Sequence, residues 1–201
     1  VETLLHAIFP QKFVLHLHPA LVNGLTCSKG GEAESRRLLG DEIVWVPACR
    51  PGYILAMKLY ERFKAAKSQV KVVLLENHGV FFAADNVPEL DAMLDSMMKK
   101  LTEGVREFPK TDDSIPEPGY GAKLAKLWGG DYFRFNGSTT ARAFAQNAET
   151  AKDMMIPFDP DQVVYCGKGA QFIGDIDALS NISLKVAIVK GVGFYTFGQT
   201  D

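Results

Sequence analysis

The chain has 201 residues, of which 47% are hydrophobic, and its formal net charge is −2. Because no basic cluster accompanies this balance, neither nucleic acid nor an anionic membrane is an expected partner, and no apolar run reaches the ~20 residues of a membrane-spanning helix. The cysteines Cys27, Cys49 and Cys166 are too widely spaced for a thiolate metal site, so we expect reduced thiols and a cytoplasmic location.

The first half of the chain predicts alternating helices and strands. Periodic apolar residues predict helices at 2–9, 32–39, 51–67 and 88–105. Short apolar runs predict strands at 13–18, 43–46, 70–75 and 80–82. The alternation indicates an α/β fold class.

The composition changes at Pro109. Residues 109–119 contain three prolines and no periodicity, which predicts a linker between a first unit, 1–108, and a second α/β unit, 120–201. In the second unit, helices are predicted at 122–127 and 140–154 and strands at 163–166, 184–189 and 194–197. The pair Gly191 and Gly193 precedes a strand-like segment, so a turn is favoured over a dinucleotide-binding loop.

Two segments in the two halves of the chain are similar to each other. Residues 71–81 align with residues 185–195, with matching lysine, valine and glycine positions, and His78 falls on Val192. Two buried strands that end in glycine can look alike by chance. The alternative is that the second unit is a degenerate repeat that has lost this histidine.

Three of the four histidines accompany predicted strands. His16 and His18 are two residues apart, so their imidazoles are expected on one face of a strand. His78 directly follows a buried strand, and Gly79 permits the sharp turn that would carry the imidazole past the strand end. Together the three predict a divalent-metal site. The alternatives are hydrogen-bonded histidines at a sheet edge and a simple turn residue.

Glu2 and His6 are four residues apart and therefore share a face of the first predicted helix. An ordinary helix pair explains this spacing. The functional alternative is a carboxylate that faces the metal and moves protons.

The histidine motifs resemble the class II aldolase and adducin family, and more closely the aldolase region of bifunctional rhamnulose-1-phosphate aldolase/alcohol dehydrogenase proteins. The gap of 60 residues (78 − 18) between the last two histidines matches that family. The segments that carry the resemblance are Glu2-Thr-Leu-Leu-His6, His16-Leu-His18-Pro19, Asn77-His78-Gly79, Arg50-Pro-Gly52, Pro160-Asp-Gln-Val163 and the strand from Gly191 to Phe197.

The resemblance implies α/β/α layers around a mixed, largely antiparallel sheet with helices on both faces. It also implies Zn²⁺ or another divalent cation held by His16, His18 and His78, with Glu2 as the catalytic carboxylate. The implied enzyme is a homo-oligomeric lyase that reversibly cleaves a small-molecule sugar phosphate, a ketose 1-phosphate, into dihydroxyacetone phosphate and an aldehyde. An epimerase or dehydratase on the same fold, and a non-catalytic adducin-like scaffold, are the alternatives.

The sequence also departs from the family pattern. The family's phosphate-binding loops precede its catalytic glutamate, whereas Glu2 is the second residue here and Val1 begins the sequence. Either an upstream part of the first unit is missing from this sequence, or the chain does not bind a phosphate in the family's usual way. No tyrosine can be matched to the family's distal acid, which reaches a neighbouring subunit.

Overall fold

The computed structural model describes residues 3–41, 43–66, 69–105 and 113–199. The chain divides into two compact units, Val1–Arg106 and Glu107–Asp201. Each unit is a mixed α/β structure built on one four-stranded sheet. Among the residues described, no helix combines the length and the apolar character that crossing a membrane requires.

The first unit contains five helices in its described part. They are α1 (Thr3–Ile8), α2 (Ala20–Thr26), α3 (Gly31–Leu39), α4 (Tyr53–Ala65) and α5 (Val87–Gly104). Its strands are β1 (Phe13–Leu17), β2 (Val44–Val46), β3 (Val72–Leu75) and β4 (Gly79–Ala84). The spatial order is β1-β4-β3-β2; β2 and β3 are parallel, and the other two pairs are antiparallel.

Both faces of the first sheet are covered by helices, as the family resemblance implies. Leu5 of α1 and Leu59 of α4 pack on one face around Phe81, and all three side chains are fully buried. On the other face, Val22 of α2 and Leu101 of α5 pack around the sheet. All six residues of β4 are buried because the strand lies in the middle of the sheet between two apolar layers.

Local signals explain where the helices of the first unit begin and end. The Asn86 side chain accepts a hydrogen bond from the Glu89 backbone N–H, which caps the start of α5. Gly40 ends α3 with φ = 91°, a conformation that favours glycine. Helix α2 is not predicted from the sequence because Asn23 and Gly24 are weak helix formers.

The second unit repeats the strand pattern of the first with different helices. Its helices are α6 (Gly121–Trp128), α7 (Thr139–Phe144) and α8 (Ala148–Ala151), and its strands are β5 (Tyr132–Asn136), β6 (Ala170–Ile173), β7 (Val186–Val189) and β8 (Gly193–Gly198). The order is β5-β8-β7-β6; β6 and β7 are parallel, and the other two pairs are antiparallel. The sequence predicts neither β5 nor β6.

Two predicted elements of the second unit are wrong. The predicted helix 140–154 is interrupted because Asn147 caps a new helix through the N–H groups of Glu149 and Thr150. The predicted strand 163–166 is a helical turn, Gln162–Cys166, whose first N–H donates to the Asp159 carboxylate. Its apolar side chains are exposed, with Val164 at 72%, so the apolar run does not mark a buried strand.

The second half of the predicted linker contacts the second unit. The backbone N–H and the hydroxyl of Thr139 donate to Asp113, and the Ile115 N–H donates to the Gly137 carbonyl at 3.1 Å. Residues 109–112 lie outside the described part of the chain. The linker over residues 109–119 therefore stays a prediction.

Candidate metal centre

Strand β1 carries the first histidine of the candidate site. His16 pairs with Phe81 of β4 in the antiparallel ladder, and His18 lies one residue beyond the end of β1. Leu15 and Leu17 pack on the opposite face of the sheet, against the core that includes α5. The alternation of a strand therefore separates the imidazoles from the leucines, as expected.

His78 lies in the tight turn between β3 and β4. Its backbone N–H donates to the Leu75 carbonyl at 3.1 Å, and the Asn77 N–H donates to the Thr26 carbonyl at 2.8 Å. Asn77 takes the left-handed conformation, with φ = 57°, which asparagine tolerates better than most residues. The sequence assigned the special conformation to Gly79 instead.

Gly79 is required for a different reason, which is space. A Cβ atom at this position would lie 2.5 Å from Cδ2 of His18 and 2.6 Å from the Leu17 carbonyl oxygen. Only glycine therefore lets the His18 ring approach the β3–β4 turn that carries His78.

The structure brings His16, His18 and His78 together. One ring nitrogen from each lies within 4.8 Å of the others. The Nε2 atom of His16 is 3.0 Å from Nε2 of His18 and 3.3 Å from Nε2 of His78. All three side chains are half-buried.

The tautomer of His16 is set by the backbone. Its Nδ1 lies 3.0 Å from the Val80 carbonyl oxygen, which can only accept, so Nδ1 carries the hydrogen. In the neutral ring, Nε2 then presents a lone pair to the centre of the cluster. A backbone carbonyl that holds the distal nitrogen in this way is a common support for a metal-binding histidine.

The residues fit a divalent ion. Three imidazoles in a tetrahedral site with bonds of 2.0–2.1 Å hold their nitrogens about 3.3 Å apart. The two nitrogen–nitrogen distances of His16, 3.0 and 3.3 Å, are close to this spacing. Imidazole donors suit zinc and other late first-row metals, and three protein ligands leave a fourth position for water or substrate.

Aromatic rings form the wall behind the cluster. Phe81 stacks on His16 with ring centroids 4.1 Å apart and planes at 15°. His6 of α1 meets Phe81 edge-on at 5.2 Å, and Phe9 lies 5.5 Å from the same ring. The side of the site that faces the core is therefore dry, which strengthens electrostatic interactions within it.

Sequence reasoning missed several supporting groups. Phe81 lies beside His16 because the two residues are paired in the antiparallel ladder of β1 and β4. The sequence alone does not give the register of that ladder. The Val80 carbonyl has no side-chain signal at all. Glu76 accepts a hydrogen bond from the Ala48 N–H at 2.8 Å and so ties the loop after β2 to the turn that carries His78. The predicted catalytic residue Glu2 lies outside the described residues.

The second unit contains a different polar group, formed by Tyr195 and Glu117. The Tyr195 hydroxyl donates to the Glu117 carboxylate at 2.8 Å, and the backbone N–H groups of Gly119, Tyr120 and Gly121 donate to the same carboxylate. Burial by itself raises the pKa of Glu117, but the hydrogen bonds from Tyr195 and the backbone hold that pKa below its ordinary value. Burial and the Glu117 carboxylate raise the pKa of Tyr195.

Residues 1–99 match the family described as Class II Aldolase and Adducin N-terminal domain. The matched residues make up nearly all of the first unit, Val1–Arg106, so this match, with the sheet and the histidine cluster, identifies that unit as a domain of the class II aldolase and adducin family. The similarity to bifunctional rhamnulose-1-phosphate aldolase/alcohol dehydrogenase proteins stays a prediction.

Two individual proteins are similar to parts of the chain. A protein of Bacillus subtilis (strain 168) named "Uncharacterized oxidoreductase YuxG" is 38% identical over 80 residues, which are 40% of this chain and 12% of that protein. The chain therefore spans only a small part of that relative's length. A solved N-terminal class II aldolase domain of a conserved protein from Thermoplasma acidophilum is 26% identical, covers 52% of this chain and 47% of its own, and has a TM-score of 0.45.

Proposed function

We propose that the chain is the metal-bearing part of a zinc-dependent lyase that cleaves a ketose 1-phosphate into dihydroxyacetone phosphate and an aldehyde. The observation that carries the proposal is the approach of three imidazole Nε2 atoms, with His16 Nε2 at 3.0 and 3.3 Å from its two neighbours. Membership of the class II aldolase family supports a metal-dependent carbon–carbon lyase.

His16, His18 and His78 are the proposed ligands. A divalent ion held by these three side chains would supply Lewis-acid polarisation of a substrate ketone oxygen. The Val80 carbonyl contributes by fixing the His16 ring, and Gly79 contributes by leaving room for His18.

Glu2 is the proposed acid–base residue. When the bond between C3 and C4 breaks, its electron pair goes to the carbon next to the carbonyl, and the C4 hydroxyl loses its proton as the aldehyde forms. A carboxylate that takes up this proton can return it to that carbon, which requires the carboxylate to lie within about 2.6–3.2 Å of the atom. Glu2 precedes His6 by four residues, and His6 contacts the aromatic wall of the site.

A small-molecule sugar phosphate is the proposed partner, and the proposal includes a cytoplasmic homo-oligomer. The family supports the substrate class. The cysteines Cys27, Cys49 and Cys166 are all thiols, not disulfides, which supports a reducing compartment. The proposed domain organisation is a metal-bearing unit, 1–108, followed by a second unit, 120–201, that lacks the metal.

The direct test is a cleavage assay on the full-length zinc-loaded protein with a panel of ketose 1-phosphates, with dihydroxyacetone phosphate as the measured product. Activity should be lost after chelation, restored by Zn²⁺ and absent in His78→Ala. The matched control is Val192→Ala, at the aligned position of the second unit.

The same assay separates the alternatives. Recovery of an epimer or of a dehydrated sugar, without dihydroxyacetone phosphate, would replace the lyase by an epimerase or a dehydratase. Zinc binding without turnover of any sugar phosphate would favour the adducin-like scaffold.

Glu2 has its own test in the full-length protein. Glu2→Gln should keep its zinc and lose cleavage by ~10²-fold or more, the scale of a lost acid–base group. Unchanged cleavage would remove Glu2 from the mechanism, and loss of both zinc and cleavage would make it a metal ligand.

A further inference from the structure

His6 belongs to the histidine cluster although it is not one of the converging ligands. The four histidines of the chain all lie at this one place. The His6 ring meets the His16 ring edge-on, with centroids 6.4 Å apart and planes at 84°. It also meets Phe81, the ring on which His16 stacks, at 5.2 Å and 76°.

We infer that His6 is a positioning residue for the proposed metal ligand His16, an inference that rests on the metal centre proposed above. Phe81 restrains His16 from one side by stacking. The His6 ring, held on α1, meets both of these rings at steep angles and so restrains them from a second side. With these contacts in place, the His16 ring keeps the orientation in which Nδ1 donates to Val80 and Nε2 faces the other two histidines.

The second unit provides an internal control for this role. Helix α6 precedes β5 as α1 precedes β1, and an offset of 119 residues (132 − 13) places Leu124 on Leu5 and Trp128 on Phe9. Leu5 and Leu124 are both fully buried, so the packing positions of the two helices are alike.

The same offset places Ala125 on His6 and Phe135 on His16. The large apolar residues that hold the helix to the sheet are therefore present in both units, whereas His6 is replaced where the ligand is replaced. A residue needed only for packing would be expected to keep a large side chain in the second unit, as Leu5 and Phe9 do. His6 is instead replaced together with His16.

An imidazole at position 6 also suits a half-buried place at the edge of the metal centre. His6 is half-buried, and its ring lies nearly perpendicular to Phe81 at 5.2 Å. Edge-to-face contacts between aromatic rings are directional, and outer groups that orient metal ligands typically change metal affinity 10–100-fold. Loss of the His6 ring should therefore weaken metal binding without abolishing it.

The test measures the zinc dissociation constant of the full chain by competition with a chromophoric chelator. His6→Ala should bind zinc about tenfold more weakly or worse. His6→Phe keeps a ring edge and should bind zinc within about threefold of the parent. The control is Leu4→Ala, on the same helix with its side chain 51% exposed, which should bind like the parent.

A Co²⁺ absorption spectrum supplies a second readout, because it reports the geometry around the ion. The His6→Ala spectrum should differ from that of the parent, and the His6→Phe spectrum should match it. The unfolding temperature of the metal-free protein should be the same for the parent and both variants.

Three results would overturn the role of His6: unchanged zinc affinity in His6→Ala, a weakening explained by an equal loss of metal-free stability, or rescue by His6→Gln and not by His6→Phe. His16→Ala separates this from failure of the metal centre. If His16→Ala binds zinc like the parent, the proposed centre itself is wrong. If His16→Ala loses zinc while His6→Ala does not, only the positioning role fails.

Discussion

The two sheets of the chain have one topology and two different polar groups. Both have four strands in the same order and directions, and the ladder of β3 with β4 superposes on that of β7 with β8 at an offset of 114 residues (186 − 72). By this register Val192 corresponds to His78, Phe135 to His16 and Gly137 to His18. The second sheet thus has no histidine at any of the three positions.

The backbone around the missing ligands is nevertheless the same. The Val192 N–H donates to the Val189 carbonyl at 3.0 Å, as the His78 N–H donates to the Leu75 carbonyl at 3.1 Å. Gly191 has φ = 71°, where Asn77 has φ = 57°. The turn therefore forms without its histidine, which indicates that the fold does not require the imidazoles.

In the second unit, a hydrogen bond between two side chains is found in place of the histidine cluster. Tyr195 corresponds to Phe81, and its hydroxyl reaches the Glu117 carboxylate, which also accepts backbone N–H groups at the start of α6. The covering layers also differ, because α4 connects β2 to β3, whereas residues 174–185 connect β6 to β7 without a helix. The two sheets therefore share one topology but not one set of polar side chains, and the degenerate repeat stays a prediction.

The largest expected effect is on the wall of the first site. Phe81→Ala removes a fully buried ring and should lower the free energy of unfolding by about 3–5 kcal/mol. It should also weaken zinc binding, because His16 loses the ring on which it stacks. Urea unfolding with and without zinc measures both effects, and an unchanged zinc affinity would remove Phe81 from the support of the site.

A matched glycine pair should separate fold from site. Gly193→Ala places a Cβ atom 2.3 Å from the Asn136 carbonyl oxygen at a residue with φ = 146°. Gly79→Ala places one against His18. Each should cost on the order of 1–3 kcal/mol of stability. Only Gly79→Ala should lower zinc affinity. Lower zinc affinity in both variants would contradict a metal site confined to the first unit.

The Glu117 group should make the second unit sensitive to acid. Tyr195→Phe should cost about 1.5–3 kcal/mol at neutral pH, since it removes a hydrogen bond to a carboxylate. The pKa of Glu117 is lowered in the folded state, so its contribution is present above the unfolded pKa and is lost as the pH falls through the folded pKa.

The stability difference between Tyr195→Phe and the parent should therefore shrink in acid, as followed by urea unfolding from neutral pH to pH about 3. Tyr132→Phe, with its side chain 46% exposed, is the control and should match the parent throughout. A difference that stays constant with pH would show that the carboxylate is not involved.

Two helix caps give the smallest effects and test the division into units. Asn86→Ala in the first unit and Asn147→Ala in the second each remove a side-chain cap and should each cost about 1 kcal/mol. In calorimetry each variant should shift a different transition. If both shift one common transition, the two units unfold together.

Much of the first unit can be predicted because its signals are local. The alternation around His16 and His18 gives the strand and the face, and the buried run before His78 gives the neighbouring strand. The supporting groups depend on register, which a sequence without alignment does not provide: Phe81 opposite His16 and the Val80 carbonyl are examples.

The second unit is harder to predict because its local signals conflict with the fold. Val163, Val164 and Tyr165 have high strand propensity, yet they lie exposed in a helical turn. Strand β6 is only four residues long, Ala170–Ile173, and is recognised by its parallel partner β7. In both segments, contacts with the rest of the unit determine the secondary structure.

Metal stoichiometry tests the central claim most directly. The full chain is dialysed against Zn²⁺, and bound metal is measured by elemental analysis for the parent, His78→Ala and the aligned variant Val192→Ala. We expect one ion per chain in the parent and in Val192→Ala, and none in His78→Ala. Two ions per parent chain, or a retained ion in His78→Ala, would contradict a single three-histidine centre confined to the first unit.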